Sequence, residues 1–359
     1  MPPEPSRGSG LVPMTLALST IVVAATLNGC GGGVASSGPP QSGADTTKIP
    51  IGDMASTNRY LGFEGGLYPG GNAIPAVHLA AGMSRAQAIQ PLDVNGNPSA
   101  TGRYILVSIG MSNTTQEFCS AVTLPCAPWS FMGQAAADPS VNRTTLVIVD
   151  GARGGQAASS WTSPTSPEYD RIRDSWLTPS GFSEQQVQIA WVKVANPNPT
   201  VSLPSLSSDA YTLVSQMATI ARTLKQRYPN LQQVFFSSRI YAGYASTSLN
   251  PEPYAYESGL AVKWIVQAQI DQISQGSVQN VQAGNLDYGT VAPWIAWGPY
   301  LWARGTTPRS DGLAWTNPDM ESDGTHPSQS GEQKVGGQLL AFFKTSPVTQ
   351  CWFRSGGSC

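Results

Sequence analysis

Tyr104-Ile105-Leu106-Val107-Ser108-Ile109-Gly110-Met111-Ser112-Asn113 opens as a short, nearly unbroken apolar run and then breaks into small and polar residues. A strand that is apolar at successive positions, rather than at every second one, is buried on both faces, as in a parallel sheet covered by helices. Runs of the same kind recur at 145–150, 187–194, 233–237 and 293–297. Between them Ala210, Val214, Met217, Ala221 and Leu224 repeat at helical spacing, as do Val262, Ile265, Val266, Ile270 and Ile273. A last helix is expected after Ser330, with Ser330 and Gln333 as a capping box ahead of Val335, Leu339 and Phe343. The alternation predicts an α/β fold, a three-layer α/β/α sandwich around a five-stranded, mostly parallel sheet.

Open sheets of this kind bind ligands beyond the carboxyl ends of their strands, so the residues just past each run are the first candidates for chemistry. Ser112 stands there after the first run. A serine in that place often only caps a helix or makes a turn. As a nucleophile it needs a base, and histidine is the usual one near neutral pH. The chain has two histidines. His78 has no acidic residue close in sequence and reads as structural. His326, in Asp323-Gly324-Thr325-His326-Pro327-Ser328, follows a carboxylate by three positions across a Gly-containing turn. Asp323 can then reach Nδ1 and leave Nε2 for Ser112.

Gly110-Met111-Ser112 after the first strand and Asp323-Gly324-Thr325-His326 near the C-terminus resemble the SGNH (GDSL-like) hydrolase superfamily, and Gly110-Met111-Ser112-Asn113 is similar to the form found in sialate and xylan acetylesterases. The resemblance implies a flavodoxin-like SGNH fold and a Ser112/His326/Asp323 triad. It also implies three oxyanion donors: the backbone amide of Ser112, a glycine after the second strand (Gly155, with Gly154 second), and Asn196 after the third. The Asn196 segment, Val194-Ala195-Asn196-Pro197, lacks the glycine and the acidic residue that usually flank the family asparagine. The activity implied by the resemblance is that of a serine esterase acting through an acyl-enzyme on an O-acyl ester, with O-acetyl on a carbohydrate as the expected substrate. The alternative is a cell-surface carbohydrate-binding protein that kept the fold and lost turnover. No metal or organic cofactor is implied.

Late in the chain Trp294, Trp297, Tyr300, Trp302 and Trp315 cluster with Arg304, Arg309 and Asp311. Indole faces suit sugar rings, and they equally suit packing. Trp297, Trp302, Arg309 and Tyr256 are the substrate-binding candidates, with Ser238, Arg239, Tyr241, Tyr254 and Glu257 extending the same wall.

The formal net charge is −2 and no Lys/Arg run occurs, which disfavours nucleic acid as a partner. Residues 1–30 read as a lipoprotein-type signal peptide: an apolar stretch from Leu11 to Leu27, too short to span a bilayer comfortably, ends in Leu27-Asn28-Gly29-Cys30. Cys30 is the expected lipidation site, a plain signal peptide being the competitor. Residues 31–51 read as a Gly/Ser/Pro tether and residues 52–359 as a single hydrolase domain. Membrane contact is expected only through the lipid, on an exported chain. The remaining cysteines fall into two sequence-local pairs, Cys119 with Cys126 and Cys351 with Cys359. Disulfides are the economical reading, and no histidine near either pair speaks for zinc.

Overall fold

The computed structural model describes residues 48–121 and 123–358. The expected signal peptide, Cys30, most of the tether and Cys359 lie outside the described residues. Each apolar run forms a strand: β1 (Tyr104–Gly110), β2 (Leu146–Val149), β3 (Val187–Lys193), β4 (Gln233–Phe236) and β5 (Trp294–Trp297). They make one sheet in the order β2-β1-β3-β4-β5, and every pairing is parallel. That is the doubly wound order of flavodoxin-like folds. Every residue of β1 and β3 is buried, which is why these two central strands show no polar alternation.

Seven helices that bear on the site connect and cover the sheet: α1 (Ala76–Gln87), α2 (Ser112–Phe118), α3 (Phe131–Ala137), α4 (Pro167–Ile172), α5 (Asp209–Arg227), α6 (Tyr254–Gln275) and α7 (Gln329–Thr345). Right-handed crossovers that step in opposite directions along a sheet fall on opposite faces. The chain steps from β1 outward to β2 through α2 and α3, and these pack with α7 in one layer. It steps the other way from β3 to β4 and β5 through α5 and α6, which pack together in the second layer. The reversal leaves the ends of β1 and β3 as a switch point, the place where such folds open a crevice. No helix among the described residues is long and apolar enough to cross a membrane.

Two boundaries differ from expectation. The packed region begins before residue 52: Ile51 is fully buried, its amide donates to the Tyr300 hydroxyl at 3.1 Å, and the Tyr256 hydroxyl donates to the Ile49 carbonyl at 2.7 Å. Lys48-Ile49-Pro50-Ile51 therefore belongs to the domain and not to the tether, because its apolar residues find a place in the core. The last helix starts at Gln329, behind Ser328, and Ser330 makes no capping box. The Ser330 hydroxyl instead donates to Pro318 and to Asp319, which competes with the cap. A disulfide joins Cys119 to Cys126.

Candidate active site

Ser112 is the first residue of α2, immediately after β1, with Met111 in extended conformation at the N-cap. The first amides of a helix have no partner within it, so the Ser112 N–H is available to a ligand. Thr114 fixes the turn from below: its hydroxyl donates to the Lys193 carbonyl at the end of β3 at 2.7 Å and accepts from Met111 N at 3.2 Å. Asn113, buried, donates from Nδ2 to the Thr325 carbonyl at 3.0 Å, tying this helix to the loop that carries His326.

That loop is shaped by Gly324, whose φ is +63°. A Cβ there would lie 1.9 Å from the Tyr244 carbonyl oxygen, so no other residue fits. Asp323 accepts the amides of Thr325 and His326 on Oδ1 at 2.9 and 3.0 Å, and its Oδ2 stands 2.6 Å from His326 Nδ1. Burial works to raise the Asp323 carboxyl, but those two amides and the imidazole outweigh it, and the group is held below its ordinary value. A carboxylate only accepts, so Nδ1 carries the proton and Nε2 is left as an acceptor. The Ser112 hydroxyl lies 2.8 Å from Nε2. Serine, imidazole and carboxylate thus form one continuous hydrogen-bonded chain.

The residues expected as oxyanion donors open onto the same cavity, which has a volume of about 310 Å³ and is lined by Ser112, Gly155, Asn196 and His326 among others. Gly155, after β2, has φ +80° in a turn closed by Gln156 N to Arg153 O. The neighbouring Gly154 lies beside Ser112, where an added Cβ would sit in ordinary contact, 3.8 Å from the Ser112 Cβ. Asn196 follows β3 and donates from Nδ2 to Asp209 Oδ1 at 2.9 Å. An amide nitrogen has two hydrogens, so one remains. The acidic residue missing beside Asn196 in sequence is thereby supplied from the start of α5.

The expected substrate wall is a correction. None of Trp297, Trp302, Arg309 and Tyr256 lines this cavity, and all four are buried. Trp297 donates its indole N–H to Leu67 O, Trp302 to Glu252, and the Tyr256 hydroxyl to Ile49 O. Arg309 donates to the Tyr300 and Trp302 carbonyls and to Asp311 while lying over the Tyr300 ring. Trp297 ends β5, Trp302 and Arg309 follow it, and Tyr256 stands on α6; Trp297 and Tyr256 bond to the chain's packed N-terminal segment, where their rings serve the core. Tyr241 and Glu257 are buried as well. Of that extended wall only Arg239 reaches the cavity. The remaining lining, Met111, Asn113, Ala157, Ala195, Pro197, Leu249 and Asn250, is small, apolar or amide; Asn113 stands in the serine motif without a role assigned from sequence, and Asn250 escapes sequence reasoning because it belongs to no spaced motif. Among the described residues no group of three or more His, Cys, Asp and Glu side chains could hold a metal ion.

No family profile and no curated protein matches the chain. Solved structures are similar to it at low identity. A family two carbohydrate esterase from Clostridium thermocellum in complex with cellohexaose is 13% identical, with 69% of this chain and 65% of that one covered and a TM-score of 0.37. An extracellular lipase from Streptomyces rimosus is 12% identical, with 66% and 98% covered and a TM-score of 0.32. A salicylyl-acyltransferase from a tetracycline biosynthetic pathway is 13% identical, with 70% and 58% covered and a TM-score of 0.34. The chain thus spans less than two thirds of the esterase and of the acyltransferase.

Proposed function

We propose that this chain is a serine esterase of the SGNH type that cleaves a short O-acyl ester through an acyl-enzyme. The observation that carries the reading is the unbroken relay from Ser112 Oγ through His326 to Asp323, at 2.8 and 2.6 Å. In this mechanism His326 Nε2 takes the hydroxyl proton as Ser112 attacks the ester carbonyl, and Asp323 steadies the imidazolium that forms. The negative charge on the carbonyl oxygen is received by the Ser112 amide, Gly155 and the free N–H of Asn196, each donor being worth about 3 kcal/mol or more in the transition state. His326 then protonates the leaving alcohol, and water repeats the cycle. No step needs a cofactor.

The cavity favours a small acyl group, and a bulky alcohol stays at its mouth. O-acetyl on a carbohydrate is one such substrate, although the aromatic platform expected for a sugar lies elsewhere. An anchored, exported form with lipid on Cys30 belongs with this reading and is checked by the mass of the mature N-terminus. Covalent labelling by a fluorophosphonate tests the core of the proposal. Labelling at Ser112 that disappears in Ser112→Ala and His326→Ala supports it, whereas absent labelling, or labelling that survives Ser112→Ala, overturns it. Acetate release from acetylated xylan, compared with an aryl acetate, decides the carbohydrate part: cleavage of the aryl ester alone removes it.

A further inference from the structure

The esterase mechanism gives no task to two polar groups of the cavity, Arg239 and Asn250, whose Oδ1 has no hydrogen-bond partner among the described residues. Arg239, three residues past β4, lines the cavity with Asn196, Asn250 and His326 and is 1% exposed. Its Nε and Nη2 have no hydrogen-bond partner among the described residues. A buried guanidinium is tolerated when its donors are satisfied, and leaving them open costs free energy unless a ligand closes them.

The acidic side chains around Arg239 do not close them. Glu117 is clasped by the buried Lys193 ammonium. Glu252 accepts the Trp302 indole and the amides of Ala242 and Tyr256. Asp323 is engaged by His326 and two amides. These carboxylates favour the charged guanidinium through space, but burial is the larger influence and draws it below its ordinary value. Among the described residues Arg239 is the one Lys or Arg side chain in the wall, which it shares with the triad residues Ser112 and His326, with Asn113, Asn196 and Asn250, and with apolar or small residues such as Met111, Ala157 and Leu249. A planar fork of this kind matches a carboxylate, which can accept two parallel N–H bonds.

Which half of the ester reaches it is decided by space. A polymer or other bulky alcohol does not enter a cavity of about 310 Å³, so the buried end belongs to the acyl group. We propose that the cavity is built for esters whose acyl chain ends in a carboxylate, short dicarboxylic half-esters, with Arg239 holding the distal carboxylate. The inference rests on the esterase reading of Ser112. In the reaction the bond between the acyl carbon and the alcohol oxygen breaks as the Ser112 ester forms, and the alcohol leaves with the proton from His326. Water then cleaves the acyl-enzyme and the dicarboxylate departs, its distal carboxylate unchanged throughout.

The test compares kcat/KM of the full chain on 4-methylumbelliferyl hydrogen glutarate and on the pentanoate ester, in the wild type, Arg239→Leu and Arg239→Lys. The wild type should favour the charged ester by about tenfold or more, the worth of a hydrogen bond to a charged group. That ratio should fall by at least about tenfold in Arg239→Leu and by less in Arg239→Lys, which keeps the charge but loses the fork. Should Arg239→Leu not fold, competitive inhibition of wild-type pentanoate hydrolysis by free glutarate, absent with neutral glutaramide, supports the proposal in its place. An alcohol-side carboxylate is probed with 3-acetoxybutyrate against its methyl ester, and an Arg239-dependent preference there without one for glutarate overturns the acyl-side assignment. If the wild type cleaves no ester at all, the esterase reading falls, and glutarate binding by calorimetry decides the arginine site alone. A wild type that cleaves both aryl esters with no preference for the charged one overturns the proposal and leaves the esterase standing.

Discussion

The mouth of the sheet and the far side of β5 each contain one histidine and one buried arginine, and the two regions treat them in opposite ways. Beyond β5, His78 donates from Nε2 to the Ile295 carbonyl at 2.8 Å and stacks on Trp294, and Arg309 spends its guanidinium on two carbonyls and a carboxylate. At the mouth, His326 is held at Nδ1 while Nε2 faces Ser112, and Arg239 keeps two nitrogens unpaired. Arg309 ends on protein atoms, whereas Arg239 keeps open donors and also lines the cavity; the second fact sets it apart from Trp161 Nε1 and the Tyr228 hydroxyl, which have no partner among the described residues and line no part of the cavity. Residue type and proximity in sequence do not separate the two classes; hydrogen-bond accounting together with the group's place on the cavity does.

The comparison breaks most easily at the histidines. His326→Ala should lower kcat for an aryl ester by about 10⁴-fold or more, the scale seen when the base of such a triad is removed. His78→Gln should leave kcat within about twofold, since a loss of packing or stability alone leaves transition-state binding untouched. Steady-state kinetics on both variants decides this, and equal losses would erase the distinction between the regions.

Next in size is the oxyanion side. Asn196→Ala should cost about 10²- to 10³-fold in kcat with little change in thermal midpoint, as for loss of a single donor at the developing charge. An unchanged kcat would mean that the carbonyl oxygen lies elsewhere in the cavity.

Acid should then reveal the scaffold histidine. Burial lowers the His78 pKa from 6.5 to about 4, opposed by its bond to Ile295. Because the native value lies below the unfolded one, the unfolded chain binds a proton first, and stability is lost as pH falls from about 6.5 to about 4. The whole step is worth about 3 kcal/mol. Urea unfolding across that window should show it in the wild type and a flatter profile in His78→Gln. Matching profiles would assign the acid sensitivity to other groups.

Arg309→Met comes below that. It leaves the Tyr300 and Trp302 carbonyls without their donor, so stability should drop by about 2 kcal/mol while kcat/KM of the folded enzyme stays the same. A selective loss of affinity for a glycan ester, at unchanged stability, would return Arg309 to the substrate wall that the sequence suggested.

Those contrasts also mark what a sequence can reveal. Continuous apolar runs predicted the five strands to within a residue or so at each end, because a strand buried on both faces loses the polar alternation and reads as a nearly unbroken apolar run. Ser112, Asp323 and His326 could be singled out because the chain has so few histidines and just one comes with a suitably spaced acid. Trp297 and Trp302 could not be placed, since an indole with one N–H fits a core and a sugar platform equally well until its partner is known. Ile51 looked like tether because it follows the Gly-, Ser- and Pro-rich stretch 31–43 with only a short segment between, and its burial depends on Tyr300, which is remote in sequence. The same long-range dependence hid the partner of Asn196.

That partner gives the finest test. Asp209 opens α5, thirteen positions after Asn196, and takes one of the two Nδ2 hydrogens at 2.9 Å. It touches no reacting atom, so its action is to aim the second hydrogen. Burial raises the Asp209 carboxyl and the bond to Asn196 opposes that rise. Asp209→Ala frees the amide to rotate, and kcat should fall by about tenfold, the cost of roughly one hydrogen bond's worth of alignment, with KM unchanged. Asp209→Asn keeps an acceptor oxygen in place and should recover most of the rate. A merely structural role predicts the reverse pattern: both variants would lower the thermal midpoint together, and kcat of the folded enzyme would not move.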